Sequence, residues 1–293
     1  MKLILIHGRA QELFEEAALK QTWIKTLKEG LSKSNLELPP GVRVEFPYYG
    51  KLLKTLTDEA LAAPRQSKKP TRSGLGTVDE QEQVLFFNSF LYEMAQKAAS
   101  TPEEKLMLKE IHDPKRGILN LELMQRLLIF LDKKQIMAET ILRKVTTDVY
   151  MYLTKHHIKQ QVNELVLNNF NQEPCVVVGH SLGSVVGYLV LKNNPGLNVK
   201  KYITVSSPLG SKTIRSYLEG PWEMPKCIKT GWFNAYDDRD YVALHPLDKI
   251  HFNIDPPIVN KNDVQNHTNN RHGIEGYLSD KEVARQIYQA IVV

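Results

Sequence analysis

Residues 175–190 read CVVVGHSLGSVVGYLV. A β-branched run, Val176-Val177-Val178, meets Gly179-His180-Ser181-Leu182-Gly183, and an apolar, helix-compatible stretch follows. The pattern is strand, sharp turn, helix, with a serine at the apex. A nucleophilic hydroxyl needs each of these parts. The strand fixes the serine in space and the tight turn lifts its hydroxyl clear of the sheet. The two glycines leave room for a strained backbone and for close strand–helix packing. The start of the helix points backbone N–H groups at any oxyanion formed on attack. The bare G-x-S-x-G spacing recurs by chance and also fits a structural glycine-rich turn. The flanking strand and helix are what give it weight.

A serine nucleophile requires a base, and the base an orienting acid. Downstream of Ser181, an apolar strand expected over 228–236 ends in Asp237-Asp238-Arg239-Asp240. Further on, Asn266-His267-Thr268-Asn269-Asn270-Arg271-His272-Gly273 precedes the last expected helix. Each candidate follows the C-terminal end of an expected strand, where a parallel sheet places its ligand crevice. His7 and His180 read as hydrogen-bonded structural residues. His156-His157 reads as a surface pair without metal-ligand spacing. The acidic trio Asp237, Asp238 and Asp240 does not match a calcium loop. Neither a metal nor an organic cofactor is expected.

These residues need a scaffold, and the rest of the chain describes one. Its 293 residues are 42% hydrophobic and 24% charged, an ordinary globular composition with enough length for one α/β core and an insertion. A net charge of +5 is too modest, and too little clustered, for a dedicated nucleic-acid binder. Strands are expected at Leu3–Ile6, Val42–Phe46, Val176–Val178, Tyr202–Val205, Ile228–Tyr236 and Lys249–Ile254. Helices are expected from Gln11 to Ser32 and from Asp280 to Ile291. The alternation argues for a mostly parallel sheet covered on both faces. Residues 51–172 read as helical, with Val84, Phe87, Leu91, Met94 and Ala98 at helical spacing, and likewise Leu121, Met124, Leu128 and Leu131. Within them, Pro64 to Gly76 is basic and rich in Pro, Gly and Ser, and reads as an exposed loop. The N-terminal apolar run is too short for a signal peptide, and no run approaches the ~18 residues of a membrane span. The two cysteines, Cys175 and Cys227, fit a reducing compartment, so a cytoplasmic location is expected.

The chain resembles the α/β-hydrolase superfamily, especially its lipase- and esterase-like members. The resemblance rests on Ile6-His7-Gly8-Arg9, Gly179 to Gly183, Ser206-Ser207-Pro208-Leu209-Gly210, the Asp237–Asp240 cluster and His272. It covers residues 1–50 and 173–293, with 51–172 as a helical cap insertion. The order Ser, Asp, His is the order such enzymes use. The resemblance implies a sheet without the family's first two strands, reduced to about six strands.

The resemblance implies Ser181 as nucleophile, Asp240 as acid with Asp237 as its rival, and His272 as base with His267 as its rival. Leu182 supplies one oxyanion N–H, and Arg9 or its neighbour Ala10 the other. The Arg9 side chain either contacts an anionic substrate group or forms a surface ion pair. Tyr48 and Tyr49 are candidates for lining the pocket or for packing beside it. The implied substrate is a small-molecule or lipid ester. A thioesterase, acyltransferase or peptidase built on the same triad, and a non-catalytic binding protein of the same fold, are the alternatives. Peripheral contact with anionic lipid through the 64–76 loop is a further one. The oligomeric state is left open.

Overall fold

The computed structural model describes the chain except residues 10–13, 64–77, 112–120, 135–138 and 269. The basic loop from Pro64 to Gly76, and Ala10, therefore lie outside the described residues. The chain forms two compact units, Met1–Leu53 with His157–Val293, and Lys54–His156.

The first unit is an α/β structure on a six-stranded, all-parallel sheet. Its elements run β1 (Lys2–Ile6), α1 (Glu16–Ser32), β2 (Arg43–Glu45) and the start of α2 (Gly50–Ala62). The second unit holds the rest of α2, then α3 (Val78–Ala98), α4 (Pro102–Ile111), α5 (Leu121–Lys133) and α6 (Glu139–Thr154). The chain returns through α7 (His156–Leu167) to β3 (Cys175–His180), α8 (Leu182–Asn193) and β4 (Val199–Val205). It ends with α9 (Lys212–Ser216), β5 (Trp232–Ala235), β6 (Val259–Lys261), α10 (Ile274–Leu278) and α11 (Lys281–Val292). Helix α7 thus belongs almost wholly to the sheet unit, and the inserted unit is shorter than the 51–172 read from the sequence.

The strand order is β2-β1-β3-β4-β5-β6. It reverses between β1 and β3, and a doubly wound sheet opens its ligand crevice at that point, beyond the carboxyl ends of the strands. The two faces explain the sequence. Leu3, Leu5, Val176, Val178, Ile203, Val205, Phe233 and Ala235 alternate along their strands and share one apolar core with α1 (Leu19, Trp23, Leu27, Leu31) and α11 (Val283, Ala284, Ile287, Ile291). On the other face lies α8, buried from Leu182 to Leu191, which is why it reads apolar all round. It packs so closely that a Cβ on Gly183 would fall 2.2 Å from the Ile6 carbonyl oxygen and 2.4 Å from that of His7.

Three expected elements differ. The strand expected at Ile228–Tyr236 is confined to β5, with Ile228 in an isolated bridge to Val199. The strand expected at Lys249–Ile254 is a turn, and the edge strand is β6. Asp248 causes the turn: its carboxylate accepts from Ile250 N at 3.0 Å and His251 N at 2.9 Å, and its carbonyl from Phe252 N at 2.8 Å. Helix α1 starts at Glu16, later than Gln11, with residues 11–13 outside the described set. The second unit is helical, with α3 packed on α4, α5 and α6. Phe87, Leu91, Met94, Ala98, Leu128 and Leu131 are buried in it, joined by Phe86, Phe90 and Leu127. No helix among the described residues is long and apolar enough to cross a membrane.

Candidate active site

Four adjacent strand ends converge on one point. The register pairs Ile6 with Gly179, His180 with Val205, and Val205 with Ala235. The residues that step off these ends are His7, Ser181, Ser206 and Tyr236. The ladder extends through two of them, with Ser181 N donating to Val205 O at 3.2 Å and Ser206 N to Ala235 O at 3.0 Å.

Ser181 sits at the apex between β3 and α8 with φ 53° and ψ −128°, a conformation that a serine holds only when its surroundings over-determine it. Gly179 permits the bend, since a Cβ there would lie 2.8 Å from Ser184 Cα. The Ser184 hydroxyl donates to Ser181 O at 2.6 Å and lies 2.7 Å from Ser207 Oγ, bracing the turn from below. Leu182 opens α8, so its N–H belongs to the first turn, which has no intrahelical acceptor.

His272 Nε2 lies 2.8 Å from Ser181 Oγ. Its Nδ1 lies 3.1 and 3.2 Å from the two oxygens of Asp240. The structure thus brings Ser181, His272 and Asp240 into contact. Asp240 is buried, and it accepts from the Tyr277 hydroxyl at 2.7 Å, Val242 N at 2.9 Å and the Ser206 hydroxyl. Burial pushes its carboxyl up, but the adjacent His272, Ser206 and the Val242 N–H outweigh burial and hold it well below the usual carboxylate range. An acid so held stays ionised and can stabilise a cation on the imidazole.

The rival residues have other partners. Asp237 accepts from Arg239 through N at 2.8 Å and through Nε and Nη2 at 3.0 Å each, and from Asn266 N at 2.9 Å. It ties the acid turn to the loop bearing His272. His267 is exposed and lines a polar cleft with Lys33, Lys261, Asp263 and Asp280.

The remaining named residues form the scaffold around the β1 loop. His7 Nδ1–H donates to Gly8 O at 2.5 Å, and its Nε2 accepts from Tyr49 N at 3.0 Å. Tyr49 is buried, stacks on His7 at 4.2 Å and donates its hydroxyl to His7 O at 2.5 Å. Tyr48 is half-buried and donates its hydroxyl to Phe14 O at 2.9 Å. This loop reaches the nucleophile, since a Cβ on Gly8 would lie 2.9 Å from Ser181 Cβ. Arg9 follows Gly8 directly and is buried. His180 donates its Nε2–H to His272 O at 2.8 Å. Burial, with His272 beside it, pushes the His180 imidazole down to about 3, so it stays neutral.

Ser206, Tyr277 and Asn266 are absent from the sequence-derived triad. Asn266 folds the His272 loop, donating Nδ2–H to Arg271 O at 2.9 Å and Gly273 O at 2.8 Å, and accepting from Thr268 Oγ1 at 2.6 Å. Ser206 carried one signal, its place directly after a strand neighbouring that of Ser181. Nothing local marks Asn266. Among the described residues, no group of three or more His, Cys, Asp or Glu side chains is placed to hold a metal ion. Comparison with protein-family models, curated proteins and solved structures finds no match to this chain.

Proposed function

We propose that the chain is a serine hydrolase of the α/β-hydrolase type that cleaves a carboxylic ester or acyl lipid. One observation carries this reading: Ser181 Oγ, on a positive-φ turn, lies 2.8 Å from His272 Nε2, and His272 Nδ1 faces the buried, ionised Asp240 at 3.1 Å. A general base within hydrogen-bond reach of the hydroxyl, itself oriented by an acid, is what nucleophilic catalysis requires. In this mechanism Ser181 Oγ attacks the acyl carbon while His272 Nε2 takes its proton. Asp240 stabilises the imidazolium. The Leu182 and Arg9 N–H groups receive the oxyanion. The imidazolium then gives its proton to the leaving alkoxide, and the C–O bond breaks to leave an acyl-enzyme. Water attacks next, His272 takes its proton, and Ser181 recovers its own as the acid product leaves.

The test is covalent labelling beside turnover. A fluorophosphonate should modify Ser181 alone, and Ser181→Ala should lose ester hydrolysis by about 10³-fold or more. Labelling at Ser206 or Ser207 instead, or turnover that survives Ser181→Ala, would refute the proposal. An ester, thioester and amide series of varied acyl length identifies the substrate class.

A further inference from the structure

The proposed reaction needs one acceptor for the His272 Nδ1–H, and the structure offers two. The Asp240 oxygens lie at 3.1 and 3.2 Å, whereas Ser206 Oγ is nearer, at 2.6 Å. Ser206 Oγ also bonds Asp240 Oδ2. A hydroxyl has one hydrogen and two lone pairs, and an ionised carboxylate only accepts. The Ser206 hydrogen therefore goes to Asp240, and a Ser206 lone pair faces Nδ1–H. The Ser206 backbone is also held independently of Asp240. Ser206 is fully buried, keeps φ at 52°, and is anchored by its own backbone bond to Ala235 O at 3.0 Å. The pairing of β4 with β5 therefore fixes where this side chain leaves the backbone, and its bonds to Asp240 and His272 set the oxygen.

We propose that Ser206 is a positioning residue for His272: a second acceptor that holds the imidazole in its Nδ1–H tautomer and so keeps the Nε2 lone pair facing Ser181. The inference rests on the hydrolase reading only for what that tautomer is used for. It makes Asp240 replaceable in one respect. An asparagine that turns an N–H toward the imidazole imposes the wrong tautomer, and rate falls by about 10⁴-fold. In this site the introduced amide oxygen can take the place of Oδ2 and accept the Ser206 hydrogen, which sets its NH2 at the Oδ1 position, 3.2 Å from Nδ1, while the nearer Ser206 Oγ, at 2.6 Å, still accepts from Nδ1–H.

The experiment places Ser206→Ala and Ser206→Gly in the unaltered chain and in the Asp240→Asn background. Glycine takes the positive φ without strain, which guards against a variant that fails to fold. Two quantities are read: ester hydrolysis, and the ¹⁵N chemical shifts of the His272 ring, which report the tautomer without turnover. Asp240→Asn alone should keep the Nδ1–H tautomer and lose less than about 10³-fold in rate, short of the wrong-tautomer penalty. Removing the Ser206 hydroxyl in that background should shift His272 toward Nε2–H and lower the rate by about another tenfold or more. A role exercised solely through Asp240 predicts no change of tautomer and no further loss in that background, and this result would overturn the proposal. If the unaltered chain hydrolyses nothing, the hydrolase reading fails, and the ring shifts alone decide the role of Ser206.

Discussion

Replacing Tyr277 with phenylalanine removes one oxygen atom and leaves the buried ring in place. That oxygen donates to Asp240 Oδ2 at 2.7 Å and accepts from Asp237 N at 3.2 Å. A hydrogen bond to a buried carboxylate contributes about 1.5–3 kcal/mol, and stranding the Asp237 N–H costs roughly 1 kcal/mol more. The expected loss is about 3 kcal/mol, or about 6–12 °C in Tm for a unit of this size. The sign with pH follows from Asp240. Its carboxyl is held low in the folded state, so the stability it contributes is present above its unfolded value of about 3.9 and is lost as pH falls through the folded value. Losing a donor raises that folded value. The gap between the two proteins should therefore be full and constant from pH 7 to pH 5, and narrow only below about pH 4. Tryptophan fluorescence during urea unfolding reads this directly, because Trp23, Trp222 and Trp232 all lie in the sheet unit. Equal stability at pH 7, or a gap that widens on acidification, would refute the reasoning.

Two further predictions concern the turn and the choice between rival residues. Gly183→Ala should destabilise by about 3 kcal/mol or more, because its Cβ would meet two β1-loop carbonyl oxygens that cannot rotate away, whereas Gly196→Ala, which faces open space, should be neutral within about 0.5 kcal/mol in the same thermal melts. His272→Ala should match Ser181→Ala in lost hydrolysis, with the double variant little worse, while His267→Ala stays within about tenfold of wild type and Asp237→Asn lowers Tm more than turnover. Reversed behaviour of the two histidines would move the base to His267.

The layered α/β design was legible in the sequence because buried parallel strands leave a plain record. Leu3–Ile6 and Val176–Val178 read as continuous apolar runs, and such runs arise when both faces of a sheet are covered. The turn at Ser181 was legible because its backbone needs glycine at 179 and 183, and only close packing imposes that requirement. Where side-chain chemistry competes with hydrophobic pattern, sequence was a poorer guide. Lys249–Ile254 carries a strand-like alternation, yet one carboxylate, Asp248, gathers the backbone N–H groups into a turn.

The sequence by itself determined which residues could meet: a serine and acidic candidates just past strand ends, and histidine candidates in the loop before the last helices. It could not separate Asp240 from Asp237, three positions apart in one turn, or His272 from His267. Tertiary structure gives them different partners, most of them far away along the chain. Asp237 is engaged by Arg239 and Asn266, while Asp240 meets Tyr277, Ser206 and His272. The place of Ser206 after a strand was legible, but its contact with His272 was beyond reach for the same reason. Its significance is a 2.6 Å approach to an imidazole 66 residues away, set by the pairing of β4 with β5 and by the loop that Asn266 folds. Local pattern records what each segment must bury. Which polar atoms share a buried point depends on strand order and register, and these exist only once the sheet has closed.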